Sequence, residues 1–265
     1  MSQSPTGAAS FAARIDPNAA EMVRRVISRI GAYREAALVE DCARAMASPG
    51  AKTAFGVHIG DCNQALADPD YVDALASGTY LYADGTSLRL VAAACGRRLP
   101  ERLVTTDVIW PILERAAAGR HPVFLVGGPE GLAETAADAM RRRIPGLHVV
   151  GCAHGYFAPA GAPGVAARIR ESGAHLVVVA TGVPHQQRFC RQVGQQTGAR
   201  LLVTAGGLYG YMAGRESRAP ARLRAAGFEW AWRLAQDPRR LAGRYARGVL
   251  SCARLVRAAL LLRGR

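Results

Sequence analysis

Lysine is almost missing from this chain: Lys52 is the only one among 34 basic residues, and arginine supplies the rest. That bias reflects codon usage more than function. No run of 18 or more uncharged apolar residues occurs, so no transmembrane helix is predicted. The N-terminus, MSQSPTGAASFAARIDPNAAEMV, lacks the basic start and apolar core of a secretory signal, which predicts a cytoplasmic protein. The six cysteines (Cys42, Cys62, Cys95, Cys152, Cys190, Cys252) show no CxxC spacing, which disfavours a structural zinc site, and they are read as small core residues. There is no GxxxxGK followed by Ser or Thr, and no GxGxxG opens a helix after a strand. A P-loop ATPase is thereby disfavoured and, less strongly, so is a dinucleotide dehydrogenase. HExxH, GxSxG and metal-ligand histidine spacings are also absent. No metal-binding DxD is visible after a strand, and no cofactor is expected.

What remains is a 265-residue chain that is half hydrophobic, enough for one large α/β domain or one domain with a small appendage. The first fifty residues read as helical and peripheral. Beyond them, short apolar runs alternate with amphipathic stretches. The runs are Thr53–Ile59, Thr79–Ala83, Pro122–Gly127, Leu147–Gly151, His175–Thr181 and Arg200–Ala205. Helical patterns include Ser87–Cys95, Thr106–Ala118, Gly131–Arg142, Val165–Ser172 and Pro184–Gly194. Continuous apolar strands separated by helices predict a doubly wound, mostly parallel α/β sheet, with ligands beyond the carboxyl ends of the strands. The organisation expected is a helical segment over 1–50, an α/β domain over 51–214 and a basic amphipathic appendage over 215–265.

Charge is uneven. From Arg215 onward, 13 arginines face only Glu216, Glu229 and Asp237, so most of the overall +14 sits in the last fifth of the chain. Such a tail suits anionic lipid, nucleic acid or a diphosphate. Arg240, Arg244, Arg247, Ser251 and Arg254 fall on one helical face; Leu241, Tyr245, Val249, Cys252, Val256, Ala259 and Leu262 fall opposite. Periodicity fits a helix lying on an anionic bilayer and a helix packing its apolar face on the domain equally well.

Four clusters carry candidate chemistry. Asp84, in Leu81-Tyr82-Ala83-Asp84-Gly85-Thr86-Ser87, directly follows an apolar strand, so it is either a turn residue or a general base at the open sheet edge. In Glu101-Arg102-Leu103-Val104-Thr105-Thr106-Asp107, Thr105 or Thr106 would cap a helix, Asp107 would favour its start, and Arg102 would hold an anion or pair with Glu101 or Asp107. Gly127-Gly128-Pro129-Glu130-Gly131 and Thr181-Gly182-Val183-Pro184-His185-Gln186-Gln187 permit close approach of a nucleotide, with Gln amides able to read sugar or base. Arg218-Ala219-Pro220, Glu229-Trp230-Ala231-Trp232-Arg233-Leu234 and Asp237-Pro238-Arg239-Arg240 would suit a pyrophosphate.

Taken in order, these segments resemble the WecG/TagA/CpsF family, glycosyltransferase family 26. The matching pieces run from about Asp68 to Tyr245. They are Asp68-Pro69, Ala83-Asp84-Gly85, Glu101-Arg102 with Thr106-Asp107, Phe124-Leu125-Val126-Gly127-Gly128, Gly155-Tyr156-Phe157, Gly182-Val183-Pro184 with Gln186, Gly206-Gly207, Arg218-Ala219-Pro220 and the Glu229-Trp230 to Arg240 segment. The resemblance implies a Rossmann-like core, a membrane-associating C-terminal appendage and an inverting, metal-independent transfer from a UDP-sugar donor to a polyprenyl-diphosphate-linked acceptor in cell-surface polysaccharide synthesis. It implies peripheral association with the inner face of the cell membrane, in a family whose members often form homo-oligomers. No nucleic-acid partner is expected, because the chain lacks any nucleic-acid reading motif. Asp84 would be the general base. Arg102, Asp107, Gly127, Gly128, Tyr156, Gln186, Gly206, Gly207, Arg218, Arg233, Arg239 and Arg240 would bind substrates.

Three places depart from the family pattern. The usual Thr-x-Asn is not matched in Phe55-Gly56-Val57-His58-Ile59, Pro-Lys-Gln-Glu becomes Pro184-His185-Gln186-Gln187, and Phe-Asp after the paired glycines becomes Tyr209-Gly210. These positions surround the expected sugar pockets. The competing reading is a non-catalytic subunit that binds a sugar nucleotide within an assembly complex.

Overall fold

The computed structural model describes residues 15–215 and 217–264. Its centre is one six-stranded sheet, all parallel, in the order β2-β1-β6-β5-β3-β4. The strands are β1 (Lys52–Val57), β2 (Tyr80–Ala83), β3 (Val123–Gly127), β4 (Val149–Ala153), β5 (Leu176–Ala180) and β6 (Leu201–Thr204). All six apolar runs form strands. β3, β5 and β6 are buried throughout, which is why they read as unbroken apolar stretches instead of alternating ones. β4 begins at Val149, two residues later than its run. Leu147 is buried before the strand starts, and small residues carry the pairing on to Ala153.

Helices cover both faces, each over its own core. One face carries α1 (Pro17–Arg25), α3 (Ile59–Ala67), α4 (Asp70–Ala76), α5 (Thr86–Ala94), α8 (Ala162–Glu171) and α9 (His185–Val193). The other carries α2 (Glu35–Ala47), α6 (Thr105–Ala118), α7 (Leu132–Arg143) and α10 (Leu208–Met212). Strand side chains alternate between the two cores: Leu125 and Val178 point to the second, Val126 and Val179 to the first. This is the doubly wound, Rossmann-like α/β architecture.

The N-terminal helices are not peripheral. Asp16 caps α1 by accepting from the Asn18 and Ala19 amides at 3.1 and 3.2 Å, with Pro17 preset for the first turn. Met22, Val26, Ile27 and Ile30 then enter one core, while Leu38, Cys42 and Met46 of α2 enter the other.

The C-terminal region consists of α11 (Ala221–Ala225), α12 (Glu229–Gln236) and α13 (Pro238–Arg263). α13 packs along α1, α3 and α5 and buries Leu241, Leu255, Ala258 and Ala259. Truncating a buried leucine such as Leu255 costs about 2–5 kcal/mol, so this helix is part of the body. Most of the apolar stripe read from the sequence is therefore the packed face: Cys252, Val256 and Leu262 also lie against the core. The arginine stripe is interrupted, because Ser251 is buried and Arg254 pairs with Asp16 at 2.6 Å. Val249 departs from the apolar stripe: with Leu250 and Leu260 it faces outward, at 71, 66 and 55 % exposure. Among the described residues, no helix is long and apolar enough to cross a membrane.

Candidate active site

The strands end together in polar or glycine-rich turns: His58 after β1, Asp84 after β2, Gly206-Gly207 beyond β6, Thr181-Gly182 after β5, Gly128 after β3 and His154-Gly155-Tyr156 after β4. After β3 the chain leaves toward α7 on one face, and after β5 toward α9 on the other. Neighbouring strands that diverge in this way open a crevice at their carboxyl ends, the usual ligand position in an open α/β sheet.

Glycine is required along that crevice. A Cβ on Gly127 would lie 2.4 Å from the Ala180 carbonyl oxygen, at a φ of +149°. A Cβ on Gly155 would fall 2.9 Å from the Gly127 Cα and 3.0 Å from the Thr181 methyl group. The Gly155 amide donates to the Gly128 carbonyl at 2.7 Å, joining the ends of β3 and β4. The Thr181 hydroxyl is buried here without a protein partner, and only its position after the strand distinguished it in the sequence.

At the opposite side of the sheet, the Asp84 amide donates to the Val57 carbonyl, and a short parallel bridge pairs Asp84 with Leu103. That bridge brings the start of α6 against Asp84. Thr105 does not cap its own helix; Val104 occupies the cap position, with no side-chain hydrogen bond. Instead the Thr105 hydroxyl donates to Asp84 Oδ2 at 2.7 Å. Burial pushes the Asp84 carboxyl above its usual range, Asp61 adds to the push, and His58 and the hydrogen bonds from Thr105 oppose it.

His58 and Asp61 form a second polar unit beside Asp84. The His58 Nδ1 accepts from the Gly60 and Asp61 amides at 2.9 and 3.3 Å, so it caps α3. Asp61 is fully buried. It accepts from the His58 amide at 2.8 Å, the Tyr71 hydroxyl at 2.7 Å and Gln187 Nε2 at 2.9 Å. This explains one departure from the family pattern: a glutamate at 187 would set a second carboxylate against Asp61, whereas the glutamine amide satisfies it. Gln186 is buried too, and its Oε1 accepts from the Gly206 amide at 2.9 Å, fastening α9 to the turn after β6.

The first turn of α6 also holds the C-terminal segment. Asp107 Oδ1 pairs with Arg218 Nη1 at 2.6 Å and with Arg224 at 3.7 Å, while Glu229 accepts from Arg218 Nε at 3.4 Å. Burial works against the Arg218 charge, yet Asp107 and Glu229 raise its pKa above the ordinary value. Its Nη2 is buried with no protein partner. Arg102 pairs with neither Glu101 nor Asp107 in the hydrogen bonds it makes; it donates to the Arg224 carbonyl at 2.8 Å. Glu101 instead accepts from the Glu35 amide at the start of α2. Gly227 approaches Thr86, so the α11–α12 turn lies against the start of α5, just beyond Asp84.

The candidate residues thus divide by place. Asp84, Arg102, Asp107 and Arg218 gather at the β2–α6 corner. Gly127, Gly128, Gln186, Gly206 and Gly207 follow the central strand ends. Tyr156 stands 78 % exposed beyond the β4 edge. Arg233 lies over the Tyr211 ring, in a separate cavity of about 170 Å³ also lined by Arg215 and Asp237. Arg239 is exposed near the start of α13, and the side chain of Arg240 lies outside the described residues. Among the described residues, no group of three or more His, Cys, Asp or Glu side chains could hold a metal ion.

The model of the glycosyl transferase WecG/TagA/CpsF family matches residues 24–265, nearly the whole chain, and the protein belongs to this family of glycosyltransferases of cell-surface polysaccharide synthesis.

Proposed function

We propose that the protein transfers a sugar from a UDP-sugar to a polyprenyl-diphosphate-linked acceptor, with inversion and without a metal. Asp84 accepts the proton of the acceptor hydroxyl. The acceptor oxygen attacks the anomeric carbon from the face opposite UDP, and the bond from that carbon to the diphosphate oxygen breaks with its electron pair. UDP leaves carrying the charge, which falls to Arg218, Arg102 and the backbone amides at the strand ends. The donor nucleotide occupies the glycine-lined crevice between β3 and β5.

The observation that carries this reading is that one helical turn holds both groups the reaction needs. Thr105 fixes Asp84, and Asp107, two residues on, fixes Arg218, whose buried Nη2 has no protein partner. A base and a cation held by a single turn suit a transfer in which a proton leaves one partner and negative charge develops on the other.

The acceptor is lipid-linked in this reading, so the protein works at the inner, anionic face of the membrane. The outward row of Val249, Leu250 and Leu260 on α13, with exposed Arg247 and Arg257 beside it, supports that placement. Each such arginine contributes about 1 kcal/mol near an anionic surface. Exposed Phe228 and Trp230 lie at the α11–α12 turn, on the Asp84 side of the molecule.

Calorimetric titration with UDP, GDP, dTDP and NAD in the presence of EDTA tests the donor assignment. Selective UDP binding is expected. Binding of NAD alone, or of no nucleotide, removes it. UDP binding without turnover on any lipid-linked acceptor would favour a non-catalytic sugar-nucleotide-binding subunit.

A further inference from the structure

Asp84 does not meet the cleft alone. Its Oδ2 accepts the Thr105 hydroxyl proton at 2.7 Å, and the Thr105 oxygen lies 2.8 Å from the Tyr82 hydroxyl. Thr105 has one proton and gives it to a carboxylate that can only accept, so Tyr82 donates to Thr105. The chain of donors runs one way, Tyr82 to Thr105 to Asp84. Tyr82 is 1 % exposed, so the far end of the chain is closed to water. A third residue makes room for it. A Cβ on Gly56 of β1 would lie 2.4 Å from the Thr105 hydroxyl and 2.8 Å from the Tyr82 hydroxyl.

We infer that Thr105 and Tyr82 are positioning residues for the transfer, committing Asp84 Oδ2 to the protein so that Oδ1 alone takes the acceptor proton. The inference rests on the general-base reading of Asp84 and extends it to the atoms that aim the base. Because Oδ2 already faces a donor, the proton from the acceptor hydroxyl bonds to Oδ1. It leaves afterwards to solvent through the cleft, since the Tyr82 end offers no exit. The Thr105 hydroxyl and backbone amide both work against the upward push that burial gives the Asp84 carboxyl. The other charged or titratable neighbours are His58 and Asp61, from the β1–α3 corner; neither donates to Oδ2 in the hydrogen bonds they make.

The test compares Thr105→Val, Thr105→Ser, Tyr82→Phe and Asp84→Asn in the full chain. Three readouts are needed: single-turnover rate against pH, UDP affinity and melting temperature. Thr105→Val should lower the turnover rate about tenfold, the effect of one lost charge-assisted hydrogen bond, and move the acidic limb of the pH profile upward. UDP affinity should stay unchanged. Thr105→Ser, which keeps the hydroxyl, should restore both rate and pH limb. Tyr82→Phe should shift the limb in the same direction by less, and it reads the chain even if the valine variant fails to fold. If Thr105→Val or Tyr82→Phe keeps the wild-type limb while Asp84→Asn is inactive, the positioning role is overturned and the general base stands. The same holds if serine rescues no better than valine. If Asp84→Asn turns over normally, the general-base reading and this inference fall together.

Discussion

Asp107 and Arg218, 111 residues apart in the chain, meet at 2.6 Å between the first turn of α6 and the segment leading into the C-terminal helices. The contact places a half-buried guanidinium beside the corner that carries Asp84, with a buried Nη2 that has no protein partner. Arg218→Lys keeps a charge but cannot bridge Asp107, Glu229 and a phosphate together. We predict at least about a tenfold loss in kcat/KM and weaker UDP binding, measured by steady-state kinetics and calorimetry. Wild-type affinity for UDP in this variant would remove Arg218 from the donor site.

Gly127→Ala tests the crevice. The added methyl would press on the Ala180 carbonyl at a backbone conformation that L-residues avoid. A stability loss of about 1–3 kcal/mol in denaturant melts is expected, with loss of UDP binding even where the variant is folded.

Stability should depend on pH through a site far from the chemistry. His121 and His175 precede β3 and β5 at their amino ends, with the two Nδ1 atoms 3.0 Å apart. Burial lowers both pKa values, Arg200 lowers them further, and His121 adds to the effect on His175. A base with a folded-state pKa below its unfolded value is protonated first in the unfolded chain. Stability from this pair is therefore complete above about pH 6.5 and is lost as pH falls toward the folded-state values. His121→Gln should flatten the fall in melting temperature between pH 7 and 5. A variant with the wild-type slope would show that other groups dominate it.

Val249→Glu with Leu250→Glu reads the outward face of α13. Both side chains are exposed, so folding stability should change by no more than about 0.5 kcal/mol per substitution. Sedimentation with anionic vesicles should be lost. If the double variant still pellets with vesicles, α13 is not the docking surface.

The sheet was legible in the sequence because buried parallel strands leave continuous apolar runs, and all six runs became strands. Asp84 and the paired glycines were legible for a related reason: turn residues directly after such runs mark the carboxyl edge. The partners of Asp84 were not. Thr105 reads as a helix cap by its local position, and only the bridge between Asp84 and Leu103 turns its hydroxyl across 21 residues to the carboxylate. Asp61 sits three residues after His58, a spacing that permits a capping box, but its contacts with Tyr71 and Gln187 depend on how α3, α4 and α9 pack. For α13, periodicity revealed an apolar stripe but not what covers it. The structure puts Leu241, Cys252 and Ala259 on the body and leaves Val249 outside.

The most direct test of the account is single-turnover transfer by Asp84→Asn at saturating UDP-sugar and acceptor, with UDP affinity measured on the same preparation. We predict a rate loss of about 10²-fold or more with UDP binding within about twofold of wild type, since the substitution removes the proton acceptor and leaves the nucleotide crevice intact. Transfer at the wild-type rate would contradict the assignment of Asp84 as the base.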